Sequence, residues 1–148
     1  MAYVELKWDP LDPFDPGPRI HVVVMNTDEV IRDGRAIGLD FPPPHAQTAL
    51  LDTGSPFTLV SRTFAKSARL FQTGAGAMLR TLGGEQRCDE YYGTVSFPDT
   101  NLPRIEAVRI FSAEFTREKY FSCLIGRDVL KGWNIRFDGR AKRFTITA

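Results

Sequence analysis

Short apolar runs, separated by polar, glycine-rich and proline-rich stretches, make up most of the chain. Residues 19–25 (RIHVVVM), 49–51 (ALL) and 57–60 (FTLV) are mainly aliphatic or β-branched, a composition typical of strands. The other predicted strands are 91–97, 107–111, 134–137 and 143–147, the last two forming a hairpin around Asp138-Gly139. Only 61–70 and 127–131 are predicted to be helices, and both are short.

Turn signals separate these runs. We interpret Asp33-Gly34 as a turn, residues 41–44 (FPPP) as a rigid connector, and the four glycines between positions 74 and 84 as a bend region. Short strands, frequent turns and little helix predict an all-β barrel or sandwich.

The first 18 residues differ from the rest because an Asp-Pro pair recurs at every third position from Asp9 to Pro16. Proline at this density cannot donate to a sheet and favours extended or turn geometry. We therefore divide the chain into an N-terminal arm (1–18) over the surface and one domain (19–148). Docking of the arm on a partner subunit, or its removal by proteolysis, is the alternative.

The composition narrows the function classes. The chain has 148 residues, 43% hydrophobic and 25% charged, with a net charge of +1; this balance gives no electrostatic footprint for nucleic acid or anionic lipid. The apolar runs are far shorter than the roughly 20 residues of a membrane helix. Because the N-terminus is charged where a signal peptide is apolar, we expect a cytoplasmic protein.

The potential metal ligands are scattered. Cys88 and Cys123 form no CxxC pair, and His21 and His45 lie in separate segments without neighbouring ligands. We therefore expect two free thiols rather than a disulfide, no zinc site and no cofactor.

The candidate chemistry lies in Asp52-Thr53-Gly54. Because an apolar strand enters this tripeptide and a second one leaves it, the pattern places the Asp52 carboxylate at the tip of a rigid loop. The tripeptide alone is also compatible with an ordinary solvated turn aspartate.

Two further segments add to this pattern. TLGGEQ follows about 30 residues later, and LIGRDVL begins at Leu124. Together with ALLDTGSPFTLVS they resemble, in order, the catalytic loop, the flap tip and the segment before the helix of the retropepsin-like aspartic proteases. The final WNIRFDGRAKRFTI resembles the closing strand pair of many members. The resemblance covers roughly residues 20–146.

The resemblance implies a closed acid-protease barrel with one short C-terminal helix, one lobe per subunit of a homodimer. It also implies peptide-bond hydrolysis by a water activated between two Asp52 carboxylates, on a protein or peptide substrate. The chain contains a single Asp-Thr-Gly, so the second carboxylate has to come from another copy related by a two-fold axis.

The resemblance also assigns roles around Asp52. The Thr53 hydroxyl buttresses the loop across the dimer axis, and Gly54 allows the tight turn. A Ser55 hydroxyl donating to the ionised carboxylate would favour its charged form, from which we expect an acidic activity optimum.

Substrate-binding residues follow in the same way. Leu82, Gly83 and Gly84 fall at the flap tip, where backbone N–H groups close over the substrate. Phe57, Leu124 and Ile125 are candidates for apolar subsite walls, although each could equally be core.

One position departs from the family. Retroviral members carry an aspartate two positions after the tripeptide, where it pairs with the arginine matching Arg127. This chain has Pro56 there. Arg127 therefore needs a different partner, and the anchoring of the substrate main chain must differ.

Two other function classes are compatible with the sequence. One is a catalytically weak retropepsin-like dimer that binds peptides. The other is a monomeric β-barrel for a small ligand, with Asp52 as a turn residue. The intact Asp-Thr-Gly-Ser favours the enzyme, because a binding module has no need for a self-repelling carboxylate pair.

Overall fold

The computed structural model describes residues 1–7, 12, 15, 17–81, 84–115 and 120–148. About half of these residues are in β-strands and few are in helices, so the structure is mostly β, as expected from the sequence. The strands are β1 (Tyr3–Lys7), β2 (Arg19–Asn26), β3 (Gln47–Leu51), β4 (Thr58–Ser61), β5 (Gln72–Thr81), β6 (Gly84–Ser96), β7 (Ile105–Ala113), β8 (Cys123–Ile125), β9 (Asn134–Asp138) and β10 (Arg143–Thr147). The helices are α1 (Asp28–Ala36), α2 (Arg62–Ser67) and α3 (Arg127–Leu130).

Seven strands form one sheet in the order β2-β3-β8-β4-β7-β6-β5. The first half of β2 pairs with β3, and its second half, from Val23 to Asn26, pairs with β6. Because β2 contributes to both partners, the sheet closes into a ring, with β5 outside it as the second strand of the β5–β6 hairpin.

The other three strands form a smaller antiparallel sheet in the order β1-β10-β9. The predicted hairpin of β9 and β10 is confirmed. Strand β1 was not predicted: Val4 pairs with Ile146 and Leu6 with Phe144, near the other end of the chain. Alternate β1 side chains therefore pack on the core, and residues 3–7 extend the sheet rather than lying over the surface as an arm.

The interpretation of Asp33-Gly34 as a turn was wrong, because both residues lie within α1. The helix begins after Thr27, whose hydroxyl accepts a hydrogen bond from the Val30 N–H (3.4 Å). Gly34 is buried, and a Cβ at this position would lie 2.6 Å from the Phe41 ring. The glycine therefore serves close packing of Phe41 against the helix. Helices α2 and α3 confirm the two helices that the sequence pattern predicted. The resemblance implied only one short helix, whereas the described residues contain three.

Buried side chains form two clusters. The main core fills the ring and includes Val22, Val60, Ile110 and Ile125, none of which has exposed surface. A second, smaller cluster lies between the β5–β6 hairpin and strands β4, β7 and β8. Its buried members are Leu59, Cys88, Phe111 and Ala113, and its half-buried members are Phe57, Ala77, Leu79, Phe115 and Leu124.

No helix among the described residues is long and apolar enough to cross a lipid bilayer.

Candidate active site

The loop that carries Asp52 connects β3 to β4, and these two strands are not adjacent in the sheet. Strand β8 lies between them, parallel to β3 and antiparallel to β4. Leu50 pairs with Leu124, and Leu59 pairs with the same residue from the other side. Asp52 continues the β3 pairing by donating its N–H to the Ile125 carbonyl (2.9 Å). Asp52-Thr53-Gly54 therefore begins where a strand paired on both sides ends.

The loop rests on the residues that follow β8. The Arg127 N–H donates to the Ser55 carbonyl (2.8 Å), and the Gly126 N–H donates to the Thr58 hydroxyl (3.3 Å). A Cβ on Gly126 would lie 2.3 Å from the Phe57 carbonyl oxygen, a distance that real Cβ atoms do not adopt. Gly126 is therefore required so that the two backbone segments can approach this closely.

A carboxylate fixes the far end of the loop. Both Asp128 oxygens accept hydrogen bonds from Thr58, one from its N–H (3.0 Å) and one from its hydroxyl (2.9 Å). The Val129 N–H donates to the same carboxylate (3.0 Å). Thr58 has no exposed surface. Because buried polar groups cost free energy unless they are paired, this clasp holds α3 and the start of β4 together.

The Asp52 carboxylate, in contrast, is half-exposed. Its Oδ1 accepts one hydrogen bond, from the Gly54 N–H (2.8 Å), and has no other protein donor among the described residues. A Cβ on Gly54 would lie 3.0 Å from that oxygen. The backbone therefore orients one oxygen of the carboxylate, while the other oxygen accepts no hydrogen bond from the described residues.

The described residues contain no group of three or more His, Cys, Asp or Glu side chains able to hold a metal ion.

The β5–β6 hairpin packs on the second cluster together with Phe57, the residue before β4. It pairs without interruption from Gly76–Asp89 to Thr81–Gly84. At the last described pair the Thr81 hydroxyl donates to the Gly84 carbonyl (2.9 Å), and Gly84 has a left-handed φ of +101° that favours glycine. Leu82 and Gly83, the other predicted flap residues, lie outside the described residues.

Comparison with known proteins identifies the architecture. No protein-family model matches the sequence, and no curated protein matches it either. A solved structure does match: the crystal structure of a retropepsin-like aspartic protease from Rickettsia conorii, with a TM-score of 0.56 over 97% of this chain and 89% of that chain. The chain has a retropepsin-like fold. Because the sequence identity is 10%, the match concerns the fold, and the prediction of this fold is confirmed.

Within the retropepsin-like fold, the loop residues make contacts that the sequence did not predict. The Ser55 hydroxyl donates to the Phe57 carbonyl (2.6 Å). The expected donation from Ser55 to the Asp52 carboxylate is absent among the described residues. The hydrogen bond from which we expected an acidic activity optimum is therefore not formed in this loop.

Arg127 has the different partner that Pro56 made necessary. Its Nη1 donates to the Thr53 carbonyl (2.7 Å). This bond joins α3 to the tripeptide itself, so the arginine braces the backbone beside Asp52 instead of pairing with a loop carboxylate. The Thr53 side chain is exposed, and its hydroxyl has no protein partner in the described part of the chain.

The predicted subsite residues separate into two groups. Phe57 and Leu124 are half-buried and pack on the second cluster, beneath the hairpin. Ile125 has no exposed surface and lies in the main core. Side chains alternate along β8, so Leu124 and Ile125 point to opposite faces. The core alternative is therefore correct for Ile125, which we remove from the subsite walls.

Both cysteines are free and fully buried, as expected for unpaired thiols. Burial raises the pKa of Cys123 to about 12, although Ser122 opposes the shift. Burial also raises the pKa of Cys88, with Arg62 acting in the opposite direction. Neither thiol has the lowered pKa that characterises a reactive cysteine.

Sequence reasoning missed Thr58 and Asp128. Both lie in segments that carried the resemblance, but the two residues are 70 positions apart. Nothing in either segment indicates that Thr58 donates to Asp128. The available signal was an acidic residue directly after Gly126-Arg127, at the first turn of a short helix.

Proposed function

We propose that this chain is one subunit of a homodimeric aspartic endopeptidase, with one Asp52 carboxylate from each subunit. The observation that carries the proposal is the contrast within the site. Asp52 is half-exposed with a single backbone donor, whereas the loop beneath it accepts hydrogen bonds from Gly126 and Arg127 and donates to the Asp128 carboxylate. A rigid support with an available carboxylate is what acid–base catalysis requires.

Asp128, the acid on α3 next to the loop, does not serve as the second carboxylate in this proposal. Asp128 already accepts three hydrogen bonds, two from Thr58 and one from Val129. Because the sequence has one Asp-Thr-Gly, the partner acid in this proposal is the Asp52 of a second copy across a two-fold axis.

The chemistry follows from the two carboxylates. Two acids held this close do not both ionise readily, so one keeps a proton. The ionised carboxylate removes a proton from a water, and the resulting hydroxide attacks the carbonyl carbon of the scissile peptide bond. The protonated carboxyl donates to the carbonyl oxygen and stabilises the negative charge that develops there. A proton then passes to the leaving nitrogen as the C–N bond breaks.

In this proposal the β5–β6 hairpin covers the substrate. Leu79 of the hairpin and Leu124 of β8 pack on the same second cluster, and the hairpin would open so that an extended peptide lies between them. Closure of such a cover excludes water from the reacting centre. Apolar walls on both sides favour substrates with hydrophobic side chains near the scissile bond.

The first experiment compares wild type with Asp52→Asn on a mixed peptide library at several pH values. We expect cleavage by wild type and a loss of more than about a hundredfold in the variant. Asp33→Asn, an exposed exchange on α1, is the matched control and should cleave normally. Equal products from wild type and Asp52→Asn would contradict the proposal. Peptide binding without cleavage would instead support the binding-module alternative.

The second experiment tests whether the site is shared. Wild type and Asp52→Asn are unfolded together in equal amounts and refolded, so that subunits pair at random. A shared site leaves only dimers with two wild-type chains active, about one quarter of the total. A site within one chain leaves about half the activity, an outcome that would exclude the shared carboxylate pair.

A further inference from the structure

The second cluster ends at a charged pair. Glu90 on β6 pairs with Phe111 on β7, and Arg109 lies two residues before Phe111, on the same face of the sheet. Thr58 pairs with Ile110, which places Phe57 beside Arg109. Phe57 closes the loop that carries Asp52. The pair therefore lies at the end of the apolar surface that begins at the catalytic loop.

The Arg109 guanidinium is held against two rings. Its central carbon is 5.7 Å from the centre of the Phe57 ring and 5.0 Å from that of Phe111, and the two rings meet edge to face at 5.1 Å. Cation–π contacts of this kind hold the group in place without using its N–H donors. The orientation is therefore set by the wall of the proposed cleft.

Glu90 fixes the rotation of the Arg109 guanidinium that the contacts with the two rings leave free. Its Oε2 accepts from Arg109 Nε (2.5 Å), and its Oε1 accepts from the Thr73 hydroxyl (2.9 Å). The Arg109 hydrogen bond, with help from Thr73, lowers the pKa of Glu90, so the carboxylate stays ionised. Both of its oxygens are engaged, which makes Glu90 a positioning residue.

The outer end of Arg109 remains available. Its side chain is 50% exposed, whereas that of Glu90 is 6% exposed. Within the described part of the chain, neither Nη1 nor Nη2 has a protein acceptor. Two parallel N–H donors on a planar, pre-oriented group match the two oxygens of a carboxylate.

We propose that Arg109 selects substrates with an acidic side chain, binding the carboxylate of a substrate aspartate or glutamate through Nη1 and Nη2. The proposal rests on the proposed function, since it assigns the second cluster to the substrate cleft. Because Glu90 neutralises much of the charge, recognition acts at short range through hydrogen bonds. In a two-fold dimer each subunit supplies one Arg109, so the preference occurs on both sides of the scissile bond.

The test uses a series of peptides, each with a single glutamate at a different position. Each peptide is compared with the same peptide carrying glutamine at that position. For wild type we expect one position on each side of the cut at which glutamate improves kcat/KM about ten- to hundredfold, mainly through KM. Arg109→Gln should lose this preference. Arg109→Lys keeps the charge beside Glu90 but lacks the paired donors, and should lose most of it while folding normally. Arg136→Gln, an exposed exchange on β9, should behave as wild type.

Binding of the same peptides to Asp52→Asn, measured by fluorescence anisotropy, separates the two proposals. A glutamate preference in binding that Arg109→Gln removes supports this inference even if wild type cleaves nothing, in which case only the proposed function fails. Cleavage or binding without a glutamate preference, or a preference that survives in Arg109→Gln, would overturn it. Peptides ending in a free or an amidated C-terminus distinguish an internal side chain from a terminal carboxylate, and a preference for the free terminus alone would also overturn it.

Discussion

The Asp52 loop and the β5–β6 hairpin lie on opposite sides of the proposed cleft, and they are held in different ways. The loop depends on residues far along the chain: Thr58 binds Asp128 across 70 residues, and Thr53 binds Arg127 across 74. Among the described residues, the side-chain bonds of the hairpin span shorter separations, from three residues between Thr81 and Gly84 to 28 between Gln86 and Glu114.

Burial follows the same division. Thr58 and Gly126 are buried beneath the loop, whereas the β5 side chains from Gln72 to Arg80 are exposed or half-buried. A register shift between Gln72 and Gly76 also interrupts the hairpin near its base. Segments with few buried contacts open more easily than the core. The Asp52 loop is therefore held by buried contacts, while β5, the strand of the hairpin outside the ring, is the part that we expect to open more easily.

Gly126→Ala should produce the largest effect on the loop side of this comparison. The added Cβ would collide with the Phe57 carbonyl, and the backbone cannot yield without breaking the Arg127 and Thr58 bonds. We expect the free energy of unfolding to fall by about 3 kcal/mol and peptide cleavage to disappear. Urea unfolding and a cleavage assay measure the two effects.

The matched control is Gly132→Ala. A Cβ there meets only the Val129 carbonyl, at 3.8 Å, an ordinary contact. Its stability should stay within about 0.5 kcal/mol of wild type. Equal losses in the two variants would show that the close approach at Gly126 is not what supports the loop.

Thr58→Val tests the clasp with nearly unchanged volume. The exchange removes one donor to Asp128 and the acceptor of the Gly126 N–H, both in a buried setting. We expect a loss of about 2 kcal/mol in unfolding free energy, together with a lower kcat. Thr145→Val, on the small sheet, should have little effect, since the Thr145 hydroxyl has no partner among the described residues. A kcat equal to that of wild type in Thr58→Val would argue against a rigid loop.

The stability that Glu90 contributes at the base of the hairpin should decrease at low pH. Arg109 and Thr73 lower the pKa of Glu90 in the folded chain, so the ionised carboxylate contributes stability that is complete above the glutamate pKa of the unfolded chain. That contribution is lost as the pH falls through the folded-state value. We expect the stability difference between wild type and Glu90→Gln to shrink from about pH 6 to about pH 3, measured by urea unfolding. A difference independent of pH would contradict this assignment.

Thr81→Val should have the smallest effect on the fold. Its hydroxyl donates to Gly84 and accepts from Gln86, both within the hairpin. Unfolding free energy should change by less than about 0.5 kcal/mol. If the hairpin covers the substrate, kcat/KM should still fall several-fold. A stability loss as large as that of Thr58→Val would remove the distinction between the two regions.

The features that depend on local pattern were predictable from the sequence. The strands on both sides of Asp52, helix α3 and the closing hairpin are each short segments with their own turn signals, and each is present. Their order along the chain also carried the resemblance to the retropepsin-like proteases, and for that reason the fold could be predicted from the sequence.

The missed features depend on contacts between distant segments. Asp33-Gly34 was interpreted as a turn, and only the position of the Phe41 ring explains a glycine within α1. Strand β1 has its partner at the other end of the chain. The resemblance led us to expect a hydrogen bond from Ser55 to Asp52, yet the loop turns the Ser55 hydroxyl toward the Phe57 carbonyl. Ile125 could be assigned to the core only from its neighbours on β8 and in the ring.

The insertion of β8 between β3 and β4 also has a consequence for the timing of synthesis. A ribosome makes Asp52 long before it makes the residues that support it, since 74 residues separate Thr53 from Arg127. Until β8 and α3 have emerged, the loop has no central strand, no bond to Arg127 and no clasp at Thr58. A nascent chain therefore carries the acid without the scaffold that orients it, and the proposed hydrolysis would have to wait until β8 and α3 have been translated and folded.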